Sequence, residues 1–172
     1  TKVFEQLTFD EGVKEQPWMW RAPDFGHQLV LLTTVDQTRL VLYRQTLEPG
    51  AEPQWTPEHT VDAPLGGRIF STEPFVYGGK SYALMMIIVG EYPTSIWLVD
   101  FDAANPIVRR LTPELPDRAR ADPEVFFTDD KGPIVFFSRF DPTKGTQWLC
   151  VLCAEGLYRA ETGIPVAPTP TP

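Results

Sequence analysis

The chain has 172 residues, of which 42% are hydrophobic and 12% aromatic, and its formal net charge is −8. That content suits one domain with a packed core and excludes disorder over most of the length. The acidic balance and the lack of any Lys/Arg run exclude the positive face a nucleic-acid partner requires, and the longest apolar run, Ala83 to Val89, is far shorter than a membrane span.

Eighteen prolines and twelve glycines interrupt the chain every few residues, and the pieces between them are rich in Val, Ile, Phe, Tyr, Trp and Thr. This is the pattern of short strands separated by turns. The segment Lys2 to Phe9 alternates and is expected to be a strand that pairs with the end of the chain and closes its sheet. A first unit, about 13–64, is expected to hold strands at Gln16–Arg21, Gln28–Val35, Arg39–Gln45 and His59–Val61, with 47–57 a Pro-rich loop. A second, about 68–113, is expected to hold Glu73–Tyr77, Ser81–Val89, Ser95–Asp100 and Val108–Leu111. After another loop at 113–120, a third unit, about 118–163, is expected to hold Glu124–Thr128, Ile134–Arg139, Gln147–Leu152 and Gly156–Ala160.

The units are marked by Gly26, Gly79 and Gly132, which stand 53 residues apart and each open a strand. A period near 50 with four antiparallel strands per unit is the sequence form of a β-propeller blade. The expected fold is therefore all-β, a propeller-like array over residues 1–163, followed by a Pro/Thr-rich linker tail at 164–172. Propellers have about four to eight blades. Three blades call for a second copy of the chain, further blades in a longer protein, or another way of packing three sheets. Pro/Thr tails commonly tether modules of exported proteins, so a secreted or periplasmic protein is expected. The start at Thr1 reads as a mature or trimmed product.

Cys150 and Cys153 form a lone C-x-x-C within an apolar strand, where their side chains point to opposite faces. A zinc knuckle needs a second pair, so two buried thiols are expected. His27 and His59 would have to converge with a carboxylate to hold a metal, and no metal site is expected. No phosphate-binding glycine loop and no G-x-S-x-G elbow occurs, so no cofactor is expected.

The chemistry-bearing column stands before Pro17, Pro74 and Pro123, where Gln16, Glu73 and Asp122 open the first strand of each unit. In a propeller those positions face the central axis. Two carboxylates across a funnel can serve as acid and base, or acid and nucleophile, in glycoside hydrolysis. An acid before proline can equally accept backbone N–H bonds and fix the strand entry. Arg68, Arg118 and Arg120 lie just upstream and are placed to pair with Glu73 and Asp122, which would keep both ionised. Trp18 and Trp20 share one strand face, with Trp55 and Tyr77 as expected neighbours. Their rings either stack on sugars or fill the core.

The pieces Thr94-Ser-Ile-Trp-Leu-Val-Asp100, Val108-Arg-Arg-Leu-Thr-Pro113, Ala121-Asp-Pro-Glu-Val-Phe-Phe-Thr-Asp-Asp-Lys-Gly132 and Phe137-Ser-Arg139 resemble blades of Tol-type propellers. They are also similar to blades of five-bladed glycoside hydrolases of the arabinanase and xylosidase kind, over roughly residues 70–140. In the hydrolases blades begin with an acid near a proline, as in Glu73-Pro74-Phe-Val-Tyr and Asp122-Pro123-Glu-Val-Phe-Phe. The resemblance implies that Glu73 is the general acid and Asp122 the aspartate that tunes it. The order of these two blades is the reverse of the family's, and Gln16 or Glu15 stands where the family has its base. A glycoside hydrolase-like protein acting on or binding a polysaccharide or oligosaccharide is expected, with Gln16, Trp18, Trp20, Arg68, Arg120 and Tyr77 as ligand contacts. A non-catalytic scaffold or lectin-like module is the alternative.

Overall fold

The computed structural model describes residues 6–47, 52–101, 105–144 and 154–168. They form three antiparallel sheets in chain order. The first contains β1 (Lys14–Ala22), β2 (Gln28–Val35), β3 (Arg39–Thr46) and β4 (Gln54–Asp62). The second contains β5 (Arg68–Tyr77), β6 (Lys80–Ile88), β7 (Pro93–Asp100) and β8 (Ile107–Arg110). The third contains β9 (Ala119–Thr128), β10 (Gly132–Phe140) and β11 (Ala154–Glu161), in the order β11-β10-β9. Short 3₁₀ turns at Pro23–Phe25, Pro64–Gly66 and Pro142–Lys144 begin with proline, whose fixed φ suits a first helical position.

Burial of β6 explains the stacking. Every residue from Ser81 to Ile88 is buried, so both faces of this strand are core. Ala83, Met85 and Ile87 pack with Leu32, Leu40 and Leu42 of the first sheet. Tyr82, Leu84 and Met86 pack with Val135 and Phe137 of the third. The period of 2 along one strand thus serves two interfaces. Leu31, Val35, Val41 and Tyr43, on the remaining face of the first sheet, are covered by Leu7 and Trp55.

The spaced glycines each close the first hairpin of a sheet. Gly78 and Gly79, with φ of 58° and 78°, make a two-residue turn whose twist matches the flanking strands. Gly132 also lies at positive φ, and a Cβ there would meet the Ile164 carbonyl oxygen at 2.8 Å, so close approach as well as conformation requires glycine.

Several expectations change. The first strands begin earlier than expected, at Lys14, Arg68 and Ala119, because β-bulges let the ladder continue N-terminal to the expected strand entries. β4 starts at Gln54 within the expected loop; as an edge strand it accommodates Pro57 beside a register shift opposite Leu42/Tyr43. Gly156–Ala160, expected as a fourth strand, belongs to β11 and pairs directly with β10. Gln147–Leu152, with Trp148, Cys150 and Cys153, lies outside the described residues. Residues 6–9 form no strand, and Leu7 packs on the first sheet rather than the last. The beginning of the expected linker is docked instead. Thr162 Oγ1 donates to the Pro133 carbonyl at 2.7 Å, Ile164 joins the core between the second and third sheets, and the Ala167 N–H donates to Tyr77 Oη at 2.9 Å. A Pro/Thr composition reads as a tether, but within 164–168 Ile164 is buried in the core and Ala167 is bonded to Tyr77.

Candidate functional site

β1, β5 and β9 are the outer strands on corresponding edges of their sheets, which is why each tolerates a proline. Gln16 and Asp122 adopt left-handed φ values of 55° and 51° just before Pro17 and Pro123. Both fall at register shifts, between Glu15 and Trp18 in β1 and opposite Phe136/Ser138 in β9. Non-glycine residues at positive φ are uncommon, and bulges of this kind re-aim side chains at sheet edges. Both stand ten residues before their hairpin glycine.

Glu73 departs from that column. It lies six residues before Gly79, paired opposite Leu84 in the regular part of the ladder. The corresponding shift in β5 falls at Phe70, between Ile69 and Ser71. Gln16 Nε2 donates to the Phe70 carbonyl oxygen at 2.5 Å, which ties the bulge of β1 to that of β5. The proline motif therefore marks two different ladder positions, since an edge strand admits proline in a bulge and in regular pairing alike.

Glu73 nevertheless comes within electrostatic reach of β9. It is half-buried, and burial first, then the charges of Glu124 and Asp122, raise its pKa above the ordinary carboxylate value of 4.5. Glu124 is a member of this acidic group that proline spacing did not single out. Its place two residues beyond Asp122 in the same strand was the available signal.

The expected arginine pairs with these acids do not form. Arg68 is exposed and donates to Gln37 Oε1 at 3.4 Å. Arg118 meets Glu155 at 3.0 Å and Asp117 at 2.9 Å. Arg120 is buried and donates through Nη2 to the Pro113 carbonyl oxygen at 2.6 Å. Glu73 is thus left to its burial and its acidic neighbours, the combination that favours a protonated carboxyl.

Trp18 and Trp20 do share a face. With Met19 they line a groove of about 270 Å³ whose other wall is Pro74, Phe75 and Val76 of β5. Trp20 is anchored, with Nε1 donating to Ser81 Oγ at 3.2 Å. Trp18 is 41% exposed, so part of its ring is open to a ligand. Trp55 is elsewhere, against the outer face of the first sheet. Tyr77 is also apart from the groove, stacked on Phe127 at 5.3 Å and bonded to the 162–168 segment. His59 is buried between Phe25 and Phe101, while His27 sits at positive φ in the first hairpin.

Among the described residues no group of three or more His, Cys, Asp or Glu side chains is arranged to hold a metal ion, and no helix is long and apolar enough to cross a membrane. The edge thus combines an aromatic groove with an acidic group, a set able to hold an apolar ring face and to move a proton. No protein-family model matches the chain, and comparison with curated proteins finds no significant relative, so the likeness to arabinanase-type and Tol-type blades rests on the quoted segments alone.

Proposed function

We propose that the chain is a carbohydrate-active segment of a β-propeller, whose β1/β5/β9 edge meets a polysaccharide or oligosaccharide. The observation that carries this reading is Glu73, a half-buried carboxyl raised above its ordinary pKa by burial and by Glu124 and Asp122, without an arginine paired to it. A glycosidic oxygen needs a proton as its bond to the anomeric carbon breaks, and a carboxyl with a raised pKa retains one at a pH where its neighbour is ionised. Glu73 is the proton donor in this reading. Asp122, re-aimed by its bulge, is the second carboxylate, activating water or attacking the anomeric carbon according to its separation from Glu73. The Trp18/Trp20 groove supplies flat faces for sugar rings, and Gln16, whose Oε1 is buried without a partner among the described residues, supplies an acceptor for a hydroxyl.

The test is release of reducing sugar from a panel of polysaccharides by the full chain. Glu73→Gln and Asp122→Asn are each expected to lower release by about 10²–10⁴-fold. Retention of the wild type on a glycan column, lost in Trp18→Ala, without any release would reduce the reading to a lectin. Neither release nor retention overturns it.

A second reading, a non-catalytic interaction module, is favoured by the far face of the third sheet. Phe126 and Leu157 are 56% and 71% exposed there. In that reading a second copy or further blades cover this face and complete the ring. A solution mass of one 19.4 kDa chain would sink the homodimer.

A further inference from the structure

Pairing of β9 with β10 sets Arg120 directly opposite Arg139, and like charges facing each other across a ladder are unfavourable. Arg139 is compensated. Its Nε donates to Glu155 Oε2 at 2.6 Å, and its guanidinium lies 4.0 Å from the centre of the Tyr158 ring. Arg110, reaching over from the second sheet, has Glu114 at 3.5 Å and the Trp97 ring beneath it.

Arg120 has no such compensation. It is only 2% exposed, and among the described residues its one hydrogen bond goes to the neutral Pro113 carbonyl. Its Nε and Nη1 are buried and donate to no protein group among the described residues. Burial, with the positive charges of Arg139 and Arg110, brings its pKa down to about 10, which still leaves it cationic at neutral pH. A fully buried guanidinium with neither counter-charge nor a full set of acceptors is rare in a folded chain.

Arg120 lines a cavity of about 320 Å³ between the second and third sheets, walled by Leu111, Leu115, Phe137 and Tyr158. The acid at its rim, Glu161, is 3.7 Å from Lys131. We infer that this cavity binds a small organic oxyanion, with Arg120 as counter-charge and the apolar walls holding the ligand's body. A carboxylate and a phosphate ester both meet that description, because a guanidinium donates well to either. This site is separate from the Glu73 edge and stands whether or not sugars bind there.

The experiment is thermal unfolding and calorimetric titration of the full chain with benzoate, phenyl phosphate and inorganic phosphate, each matched for ionic strength with chloride. At about a hundredfold excess over Kd, an organic anion is expected to raise Tm by several degrees, saturably. Benzoate acting alone assigns a carboxylate, and phenyl phosphate acting alone a phosphate ester. Arg120→Met keeps the length of the side chain and removes its charge. It is expected to leave the ligand-free chain as stable or more so, and to weaken the anion response at least tenfold. An arginine Nε–H resonance that shifts saturably in the wild type reports the same contact without any substitution. No anion acting beyond chloride, an unmoved set of Nε–H resonances, or an undiminished response in Arg120→Met would each overturn the assignment.

Discussion

Ala83, Met85 and Ile87 of β6 meet the first sheet, while Tyr82, Leu84 and Met86, the alternate residues of the same strand, meet the third. The first contact is built mainly of aliphatic side chains, with Phe101, Trp20, Phe25 and Trp97 packed at its margin, and it carries a satisfied polar link. Asp24 accepts both the N–H and the O–H of Ser81 at 2.7 Å, and Ser81 Oγ accepts from Trp20 at 3.2 Å. The second contact is aromatic, with ring pairs Phe75/Tyr82, Tyr77/Phe127 and Phe137/Tyr158, and residues 162–168 help to close it. It also holds Glu73 among like charges and Arg120 with two nitrogens that find no acceptor among the described residues. Both interfaces leave buried polar atoms without a partner among the described residues, Gln16 Oε1 and His59 Nε2 at the first and Arg120 Nε and Nη1 at the second, but the second is the one that buries a guanidinium among like charges. Unsatisfied buried polar groups call for a partner, and they concentrate at functional sites.

Met85→Ala and Met86→Ala, adjacent on β6, probe the two interfaces directly. Each buried methionine is expected to cost about 2–5 kcal/mol on truncation, measured by urea unfolding. Met85 should lie at the upper end, since it is enclosed between two ordered sheets, whereas the docked segment carrying Ile164 can close part of the space behind Met86. A larger loss for Met86→Ala would break the comparison.

The polar links come next. Asp24→Ala leaves the Ser81 N–H and hydroxyl without their acceptor in a partly buried place, at an expected cost of about 1–3 kcal/mol. Tyr77→Phe removes only the acceptor of the Ala167 N–H, at about 1 kcal/mol or less. Hydrogen exchange should show faster exchange at the Ala167 amide in Tyr77→Phe, with β6 unaffected. Equal costs for the two substitutions would mean that both interfaces are held alike.

The legible parts of this molecule are those fixed by local backbone chemistry. Gly26, Gly79 and Gly132 mark three hairpins because each turn requires positive φ, and the unbroken apolar run of β6 marks a strand covered on both faces. Trp18 and Trp20 share a face because strand geometry demands it. What depends on long-range contact was not legible. Pro74 looks like Pro17 and Pro123 in sequence, yet it sits in regular pairing while they sit in bulges. Ile164 and Ala167 resemble a linker until the second core and Tyr77 receive them. Arg120 is expected beside an acid from its sequence neighbours, and the pairing of β9 with β10 sets it opposite Arg139 instead.

The smallest expected effect tests the electrostatic half of the comparison. Glu73 has its pKa raised in the folded chain above the ordinary 4.5, so the native state holds the proton more tightly than the unfolded state. Below that ordinary value both states are protonated, and the carboxyl costs nothing. As pH rises through the folded pKa the wild type loses stability, because a charge then forms beside Glu124 and Asp122. Glu73→Gln keeps the neutral form at every pH. Its stability should equal that of the wild type near pH 3.5 and exceed it by less than about 1 kcal/mol at pH 7, the gain being limited by the solvent that reaches a half-exposed group. Asp122→Asn removes one of the repelling charges and should bring the Glu73 titration, followed by carboxyl NMR, back toward its ordinary range. If that titration does not move, Asp122 and Glu73 do not act on each other, and the two carboxylates cannot be the working pair of a hydrolase.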